Sequence, residues 1–393
     1  MSDRTTIAII GGGPAGLIAA EVLADRAEVD LYEGGRTLGR KFLVAGYGGL
    51  NITNRAEGDR LLEKYSDPEF LRPVLAAFGP TALREWLAGL GISTFTGSSG
   101  RVFPERGIRP AQVLKAIRDS AVSKGARIHV GHEFVGFDEG ARPILEHAGE
   151  RSTLDTHRTL FALGGASWSR TGSKGDWRTH FEGIGVHTVP FQASNCGVEI
   201  PWPAALAPHF GKPLKNIRIT AGGRSLRGEA TITAYGLEGN GIYPLVPELR
   251  AALAKGGQAI IGLDLKPDVD KAEMERRLRG AAWRERMAAL KLDRVQVALL
   301  KAHTSGTRFV DGSGLVDDLK DLKLTVTGLR PIEEAISTVG GIALEEVAPD
   351  LSLKRHPHLS VAGEMLDWDA PTGGFLLQGA FALGRWAALG GPG

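Results

Sequence analysis

The sequence predicts an α/β fold that opens on a dinucleotide-binding βαβ unit. Three observations predict it: a β-branched run ending in a glycine-rich turn, later apolar strands that also end in glycines, and an overall excess of glycine. The 393 residues include 54 Gly, about 14% against roughly 7% in ordinary proteins. Adding the 20 Pro stays short of low-complexity disorder, and no Gly-X-Y period exists, so collagen is excluded. Hydrophobic residues at 42% and charged residues at 23% suit a globular chain with a large core. The length suits two domains.

Thr6–Ile10 (TIAII) reads as a buried parallel strand. It runs into Gly11-Gly12-Gly13-Pro14-Ala15-Gly16, which contains G-x-G-x-x-G. Leu17–Ala24 follows as an apolar helix, and Val29–Tyr32 as a second strand ending at Glu33. Each part has a physical task. Gly11 permits the tight strand-to-helix turn, Gly13 lets backbone approach a pyrophosphate, and Gly16 lets helix and strand pack closely. Pro14 and Ala15 complete the turn as candidate cofactor contacts, and the helix N-terminus presents free N–H groups and a positive dipole end to the phosphates. Glu33 is placed to accept hydrogen bonds from the adenosine ribose.

Downstream, Leu160–Gly165 (LFALGG) reads as an apolar strand ending in the pair Gly164-Gly165. Leu359–Ala362 is another short strand running into Gly363-Glu364. Pro371-Thr372-Gly373-Gly374 then opens an apolar helix from Phe375 to Leu389. This is the layout of glutathione-reductase-type FAD proteins. There an acid after a late strand, here Glu364, binds the ribityl chain. A glycine-rich helix start, here Thr372, Gly373, Gly374 and Phe375, points N–H groups at the pyrimidine edge of the flavin, favouring negative charge there. FAD is therefore the expected cofactor. No second GxGxxG-plus-acid unit exists, so NAD(P)H is expected to bind transiently rather than in a domain of its own.

The segments GGGPAGL…Glu33, Ala45–Asn54 (AGYGGLNITN), Ser98–Pro104 (SSGRVFP), Leu163–Asp176 (LGGASWSRTGSKGD), Thr338–Ile342 (TVGGI) and Ala362–Gly384 (AGEMLDWDAPTGGFLLQGAFALG) occur in this order. Together they resemble the BaiN/RdsA-type FAD-dependent oxidoreductases, a bacterial family that also includes aminoacetone-oxidase-like proteins. The resemblance implies a glutathione-reductase-like FAD-binding Rossmann domain formed by residues 1–186 and 335–393. It also implies an inserted β-rich substrate domain (187–265 and 312–334) carrying a helical subdomain (266–311). The sequence accommodates this: Ile217–Ala221, Glu229–Ala234, Ala259–Leu263 and Thr325–Leu329 have strand character, and 270–301 is polar and helical.

One segment departs from the family pattern Gly-Gly-Gly-Arg-Cys-Asn. This chain has Gly46-Tyr47-Gly48-Gly49-Leu50-Asn51, so no role of that arginine or thiol transfers, and the chain reads as a divergent subgroup. Gly46, Gly48 and Asn51 still fit a loop whose backbone approaches the flavin; the other reading is a structural turn capped by Asn51. Arg40 and Lys41 either neutralise FAD or are solvated loop charges. Val135, in a strand over His132–Phe137, matches where backbone contacts adenine in the family. Arg101 is either a substrate-side cation or part of a structural salt bridge. Tyr235 and Tyr243 flank Gly236–Gly241. The resemblance puts this segment in the inserted domain facing the flavin, where Tyr243 or Glu238 could exchange a proton; packing or turn roles are the alternative.

The expected function is hydride transfer through FAD. The favoured version is reduction of a conjugated C=C bond in a small molecule with NAD(P)H as donor. Amine-type oxidation and a non-catalytic flavin-binding role are alternatives. A further alternative is reduction of a uracil base in RNA, which the family resemblance allows. Its support in the sequence is the stretch Lys271–Lys301, with nine basic and four acidic residues, although only Trp283 interleaves those charges as a stacking aromatic. A solvated helical face explains the same stretch. The single cysteine, Cys196, excludes a disulfide framework and suits a buried position and a reducing, cytoplasmic setting. The ten histidines show no metal spacing. No P-loop or G-x-S-x-G elbow is present. No membrane span is expected. The first apolar stretch does not read as a signal peptide, because Asp3 and the glycine turn interrupt that pattern.

Overall fold

The computed structural model describes residues 5–391 except 46–48, 283–284, 307 and 309–313. The chain forms two compact units, residues up to Gln192 together with Ser337 onwards, and Ala193–Ile336.

The first unit is centred on five parallel strands in the order Leu359–Val361, Arg158–Phe161, Thr6–Ile10, Glu28–Glu33 and Arg127–Val130. These are short β-branched or leucine-rich runs, and Thr6–Ile10, Arg158–Phe161 and Leu359–Val361 are buried along most of their length, as a parallel sheet covered on both faces requires. The helix Pro14–Leu23 starts three residues earlier than the apolar pattern implies, because Pro14 sits at its first turn with its φ already helical. It packs against the final helix, Phe375–Leu389. The contact is close: a Cβ on Gly384 would lie 2.3 Å from the Ala15 carbonyl oxygen. Ile9, Ile10, Leu17, Ile18, Leu31, Phe161, Phe181 and Phe381 fill this core. At the far end of the final helix, Arg158 donates to the Ala387 and Ala388 carbonyls. These are two of the acceptors that a helix C-terminus leaves open.

Two three-stranded antiparallel sheets also belong to this unit. One pairs Thr94–Thr96 and Thr53–Asn54 on either side of Arg101–Pro104. The other runs through Glu133–Phe137, Pro143–His147 and Glu150–Thr153. Its Phe134 and Phe137 pack edge-on against Phe161 and near Phe181, which joins it to the parallel sheet.

The second unit is a seven-stranded antiparallel sheet. Its order is Leu322–Val326, Ala259–Asp264, Pro213–Ala221, Arg224–Ile232, Gly236–Glu238, Val198–Glu199 and Gly328–Leu329. The polar stretch after Pro267 forms three short helices, Lys271–Leu278, Arg286–Ala289 and Arg294–His303. Gly280 and Lys291, both left-handed, separate them. Met274, Leu290, Leu299 and Leu300 join the same apolar core as the sheet. The last of the three opens on a reciprocal cap between Asp293 and Gln296.

Candidate active site

In an open parallel sheet, ligands bind beyond the carboxyl ends of the strands, where the chain direction of winding switches. That point lies between Thr6–Ile10 and Arg158–Phe161, since the strands that follow the first lie on its other side. The three motif glycines there have three different surroundings. Gly11 has φ +114°, and a Cβ would sit 2.3 Å from the Ala162 carbonyl oxygen. At Gly16 a Cβ would sit 1.9 Å from the Gly11 oxygen. At Gly13 it would meet no protein atom within 4 Å. The protein's own packing therefore requires the outer two glycines and leaves space over the middle one. Pro14 and Ala15 begin the helix behind it, and Ala15 is also held by the final helix.

Glu33 ends the second strand and accepts from Gly12 N at 2.9 Å and Gly35 N at 2.8 Å. It thus fastens the glycine turn while keeping lone pairs for a further donor. Val135 lies where the register of Glu133–Phe137 against Pro143–His147 shifts by one residue, between Phe134 and Gly136. A bulged residue leaves its ladder hydrogen bonds unmade, so this backbone is available to a ligand. Gly34 lies alongside Glu133, which places the bulge strand next to the glutamate turn.

At the other end, the ends of Arg158–Phe161 and Leu359–Val361 carry Gly164 and Gly363, both left-handed. Glu364 accepts from Lys41 Nζ at 3.0 Å and from Thr338 N at 3.0 Å. Lys41 also reaches the Ser167 hydroxyl at 2.5 Å. Arg40 donates instead to the Arg170 carbonyl at 2.7 Å. The final helix begins at Gly373 and Gly374, with φ +115° and +95°. A Cβ on Gly374 would lie 2.3 Å from the Thr53 oxygen. Asn54 Nδ2 donates to the Gly373 carbonyl at 3.1 Å, Thr53 Oγ1 to Gln378 at 2.7 Å, and Tyr65 Oη to the Phe375 carbonyl at 2.8 Å. These bonds hold the start of the helix, from Thr372 to Phe375, against the loop that follows Gly49. Asn51 Oδ1 in that loop is buried with no partner among the described residues, so it can accept from a ligand. Gly46 and Gly48 lie outside the described residues.

Arg101 is half-buried on the strand paired with Thr53–Asn54, and its Nε lies 3.9 Å from the Cβ position of Gly373. Among the described residues no carboxylate pairs with it, so the salt-bridge reading of Arg101 finds no partner. The sequence did not single out Ser167, Thr338, Tyr65, Thr53 or Gln378. Ser167, Thr338, Thr53 and Gln378 sit in segments that carry the family resemblance, and that was the only signal for them.

In the inserted unit, the Tyr235 hydroxyl donates to Glu238, and Arg330 stacks on the Tyr235 ring 4.2 Å from its centre while binding Glu199 and Glu334. Burial, reinforced by Glu238, raises the Tyr235 phenol's pKa, and burial does the same for Tyr243. Both therefore hold their protons at neutral pH. Two of the three glycines between them are pressed by sheet packing. A Cβ on Gly236 would lie 2.0 Å from the Val198 oxygen, and one on Gly241 2.7 Å from the Glu229 oxygen. Of the basic stretch, Lys271 pairs with Asp317, and Arg276 and Arg277 both pair with Glu273. Cys196 is buried beside Val246 and Ala335. Among the described residues no group of three His, Cys, Asp or Glu is placed to hold a metal, and no helix is long and apolar enough to cross a membrane.

The space over Gly13, the unpaired backbone at Val135, the orphaned Asn51 acceptor and the left-handed glycines at the final helix fit FAD along its length. Fold and site together define an FAD-dependent oxidoreductase. The chain belongs to the HI0933-like protein Rossmann domain family, whose model matches residues 5–390, and this bears out the resemblance read from the motifs. It is 27% identical to the 3-dehydro-bile acid delta(4,6)-reductase of Clostridium scindens, over 97% of each chain. It is 23% identical to the ribosomal RNA dihydrouridine synthase of Escherichia coli, over 98% of this chain and 97% of that one. Among solved structures, 3-ketosteroid delta1-dehydrogenase from Sterolibacterium denitrificans superposes with a TM-score of 0.51 at 12% identity, covering 98% of this chain and 99% of that one. At that identity the likeness concerns the fold alone.

Proposed function

We propose that this enzyme reduces a C=C bond conjugated to a carbonyl in a small ring compound of the 3-oxo-steroid class, with NAD(P)H as the electron donor. The observation that carries the reading is the end-to-end match to the bile acid delta(4,6)-reductase. The name of the second relative, a dihydrouridine synthase, also denotes saturation of a ring C=C next to a carbonyl, so the reaction type is common to both. A small-molecule substrate is favoured over RNA because Lys271, Arg276 and Arg277 are already paired with acids of their own unit, which weakens a phosphate-binding surface.

FAD, when bound, supplies two-electron hydride chemistry. The residues of this chain do the rest. Gly13 with the first turn of Pro14–Leu23 holds the pyrophosphate, in a turn that Gly11 and Gly16 shape by their packing. Glu33 holds the ribose, the Val135 backbone the adenine, and Glu364 the ribityl chain. The start of the final helix at Gly373 and Gly374 supports negative charge at the pyrimidine edge. Arg101 binds the substrate carbonyl oxygen, where charge builds as the β-carbon is reduced. The family resemblance puts Tyr243 forward as the proton donor, and Glu238, engaged by the Tyr235 hydroxyl, as the weaker candidate.

The test is anaerobic reduction of the purified FAD-loaded enzyme with NADH and NADPH, followed by turnover of a Δ4-3-oxo steroid, a small amine, or ribosomal RNA. Bleaching by a nicotinamide and saturation of the steroid are expected. Bleaching only by the amine, or turnover only of RNA, would overturn the reading. Arg101→Met should lower kcat/KM on the steroid by about 100-fold while leaving bleaching by NAD(P)H unchanged.

A further inference from the structure

We propose that Lys41 is a positioning residue for Glu364, and that the two form a neutral pair which sets the local charge presented to FAD. The inference rests on the reading that Glu364 faces the ribityl chain. Lys41 lies in the short helix Arg40–Ala45, which follows the glutamate turn. Its ammonium is 3.0 Å from Glu364 Oε2 and 2.5 Å from the Ser167 hydroxyl. The other carboxylate oxygen, Oε1, accepts from Thr338 N at 3.0 Å and lies 3.5 Å from the Thr338 hydroxyl. That hydroxyl in turn accepts from Ala166 N at 3.2 Å. Both oxygens of Glu364 are therefore directed, one by a cation and one by backbone.

Gly165 makes the arrangement possible. A Cβ there would lie 2.1 Å from Thr338 Oγ1 and 2.9 Å from Glu364 Cδ. The end of Arg158–Phe161 must pass without a side chain for the acid to take this position. Neither charged group is sealed in the core: the side chains retain 28% and 20% of their exposure. They sit at the carboxyl ends of the strands, where a ligand of this fold belongs, and not beneath the sheet.

The pair has an electrostatic consequence. Two-electron reduction of a flavin builds negative charge. A lone carboxylate nearby disfavours that, a lone ammonium favours it, and an ion pair largely cancels at a distance. Removing either partner should thus shift the midpoint potential in opposite directions. A merely structural contact would not do this, since both losses would disturb binding alike.

The experiment compares the full-length enzyme with Lys41→Met, Glu364→Gln, the double variant and Lys41→Arg. FAD affinity is read by fluorescence titration and the midpoint potential by dye-equilibrated reduction. Lys41→Met should weaken FAD binding by about tenfold, the scale of one charge-assisted hydrogen bond, and shift the potential to more negative values. Glu364→Gln should shift it to more positive values, the double variant should lie between, and Lys41→Arg should restore the native potential. Shifts of the same sign in both single variants, or none, overturn the inference. Failure of the unaltered enzyme to bind FAD would instead overturn the cofactor reading beneath it. If Lys41→Met does not fold, Glu364→Gln and Lys41→Arg still decide the sign.

Discussion

The two ends of the FAD frame are built from glycines under different constraints. At the adenine end, Gly16 is pressed by the Gly11 oxygen, five residues away in sequence. At the flavin end, Gly165 is pressed by Thr338 and Glu364, and Gly374 by Thr53, all more than 170 residues distant. The first end needs one distant contact, the Ala162 carbonyl against Gly11, and otherwise closes within a short segment. The second exists only after several remote segments meet. The difference implies that damage at the adenine end should destroy the unit, whereas damage at the flavin end should loosen the site first.

The largest expected effect follows from Gly16→Ala. Its Cβ would fall on backbone 1.9 Å away, and neither helix nor strand can yield. A loss of about 3 kcal/mol or more is expected in denaturant unfolding, together with loss of FAD binding. Gly374→Ala combines a left-handed φ with a backbone clash against Thr53. About 2 kcal/mol should be lost, and hydrogen exchange should rise at Thr53–Asn54 and at the start of the final helix while the adenine end stays protected. If Gly374→Ala destabilises as much as Gly16→Ala, the contrast between the two ends is wrong.

Arg158→Met tests the opposite end of the same helix. It removes the donors to the Ala387 and Ala388 carbonyls, and a drop of about 1–2 kcal/mol is expected. FAD affinity should change less than it does in the Glu364 variants. Gly13→Ala should have the smallest effect on the fold. Its φ of −82° is open to any residue, and no protein atom lies within 4 Å of the new Cβ, so stability should stay within about 0.5 kcal/mol. FAD affinity should nevertheless fall at least about tenfold, because the added methyl occupies space proposed for the pyrophosphate. An unchanged affinity would remove Gly13 from the phosphate site.

A smaller pH effect sits beside the adenine end. Burial opposes the charge on Asp30, but bonds from Arg127 and His129 outweigh it and hold its pKa below the ordinary value. Its contribution is therefore present above about pH 3.9, the unfolded value, and is lost as pH falls through the lower folded value. Asp30→Asn should reduce the acid sensitivity of unfolding. An unchanged acid limb would remove the pair from the stability of this sheet.

The glycine turn, the parallel strands and Glu33 were legible because their constraints are local. Strand, turn, helix and acid follow one another within about thirty residues, and most of them answer to near neighbours in the chain, as Gly16 does to Gly11 and Glu33 to Gly12 and Gly35. Gly373 and Gly374 were legible for the same reason, since a glycine pair before an apolar run announces a helix start. Lys41 and Glu364 were both singled out, but their partnership was not. Ser167, Thr338 and Tyr65 were missed, because a single hydroxyl gives no pattern and its partner is set by the fold: Lys41 for Ser167, Ala166 and Glu364 for Thr338, Phe375 for Tyr65. Gly236 and Gly241 answer to strands crossing at close range, a contact between remote segments that their sequence context does not announce. Sequence by itself thus determined the cofactor class and the sheet that receives it, through short-range sterics and periodicity. Tertiary structure alone decided which charge meets which, because an ion pair depends on distances that only the assembled fold creates.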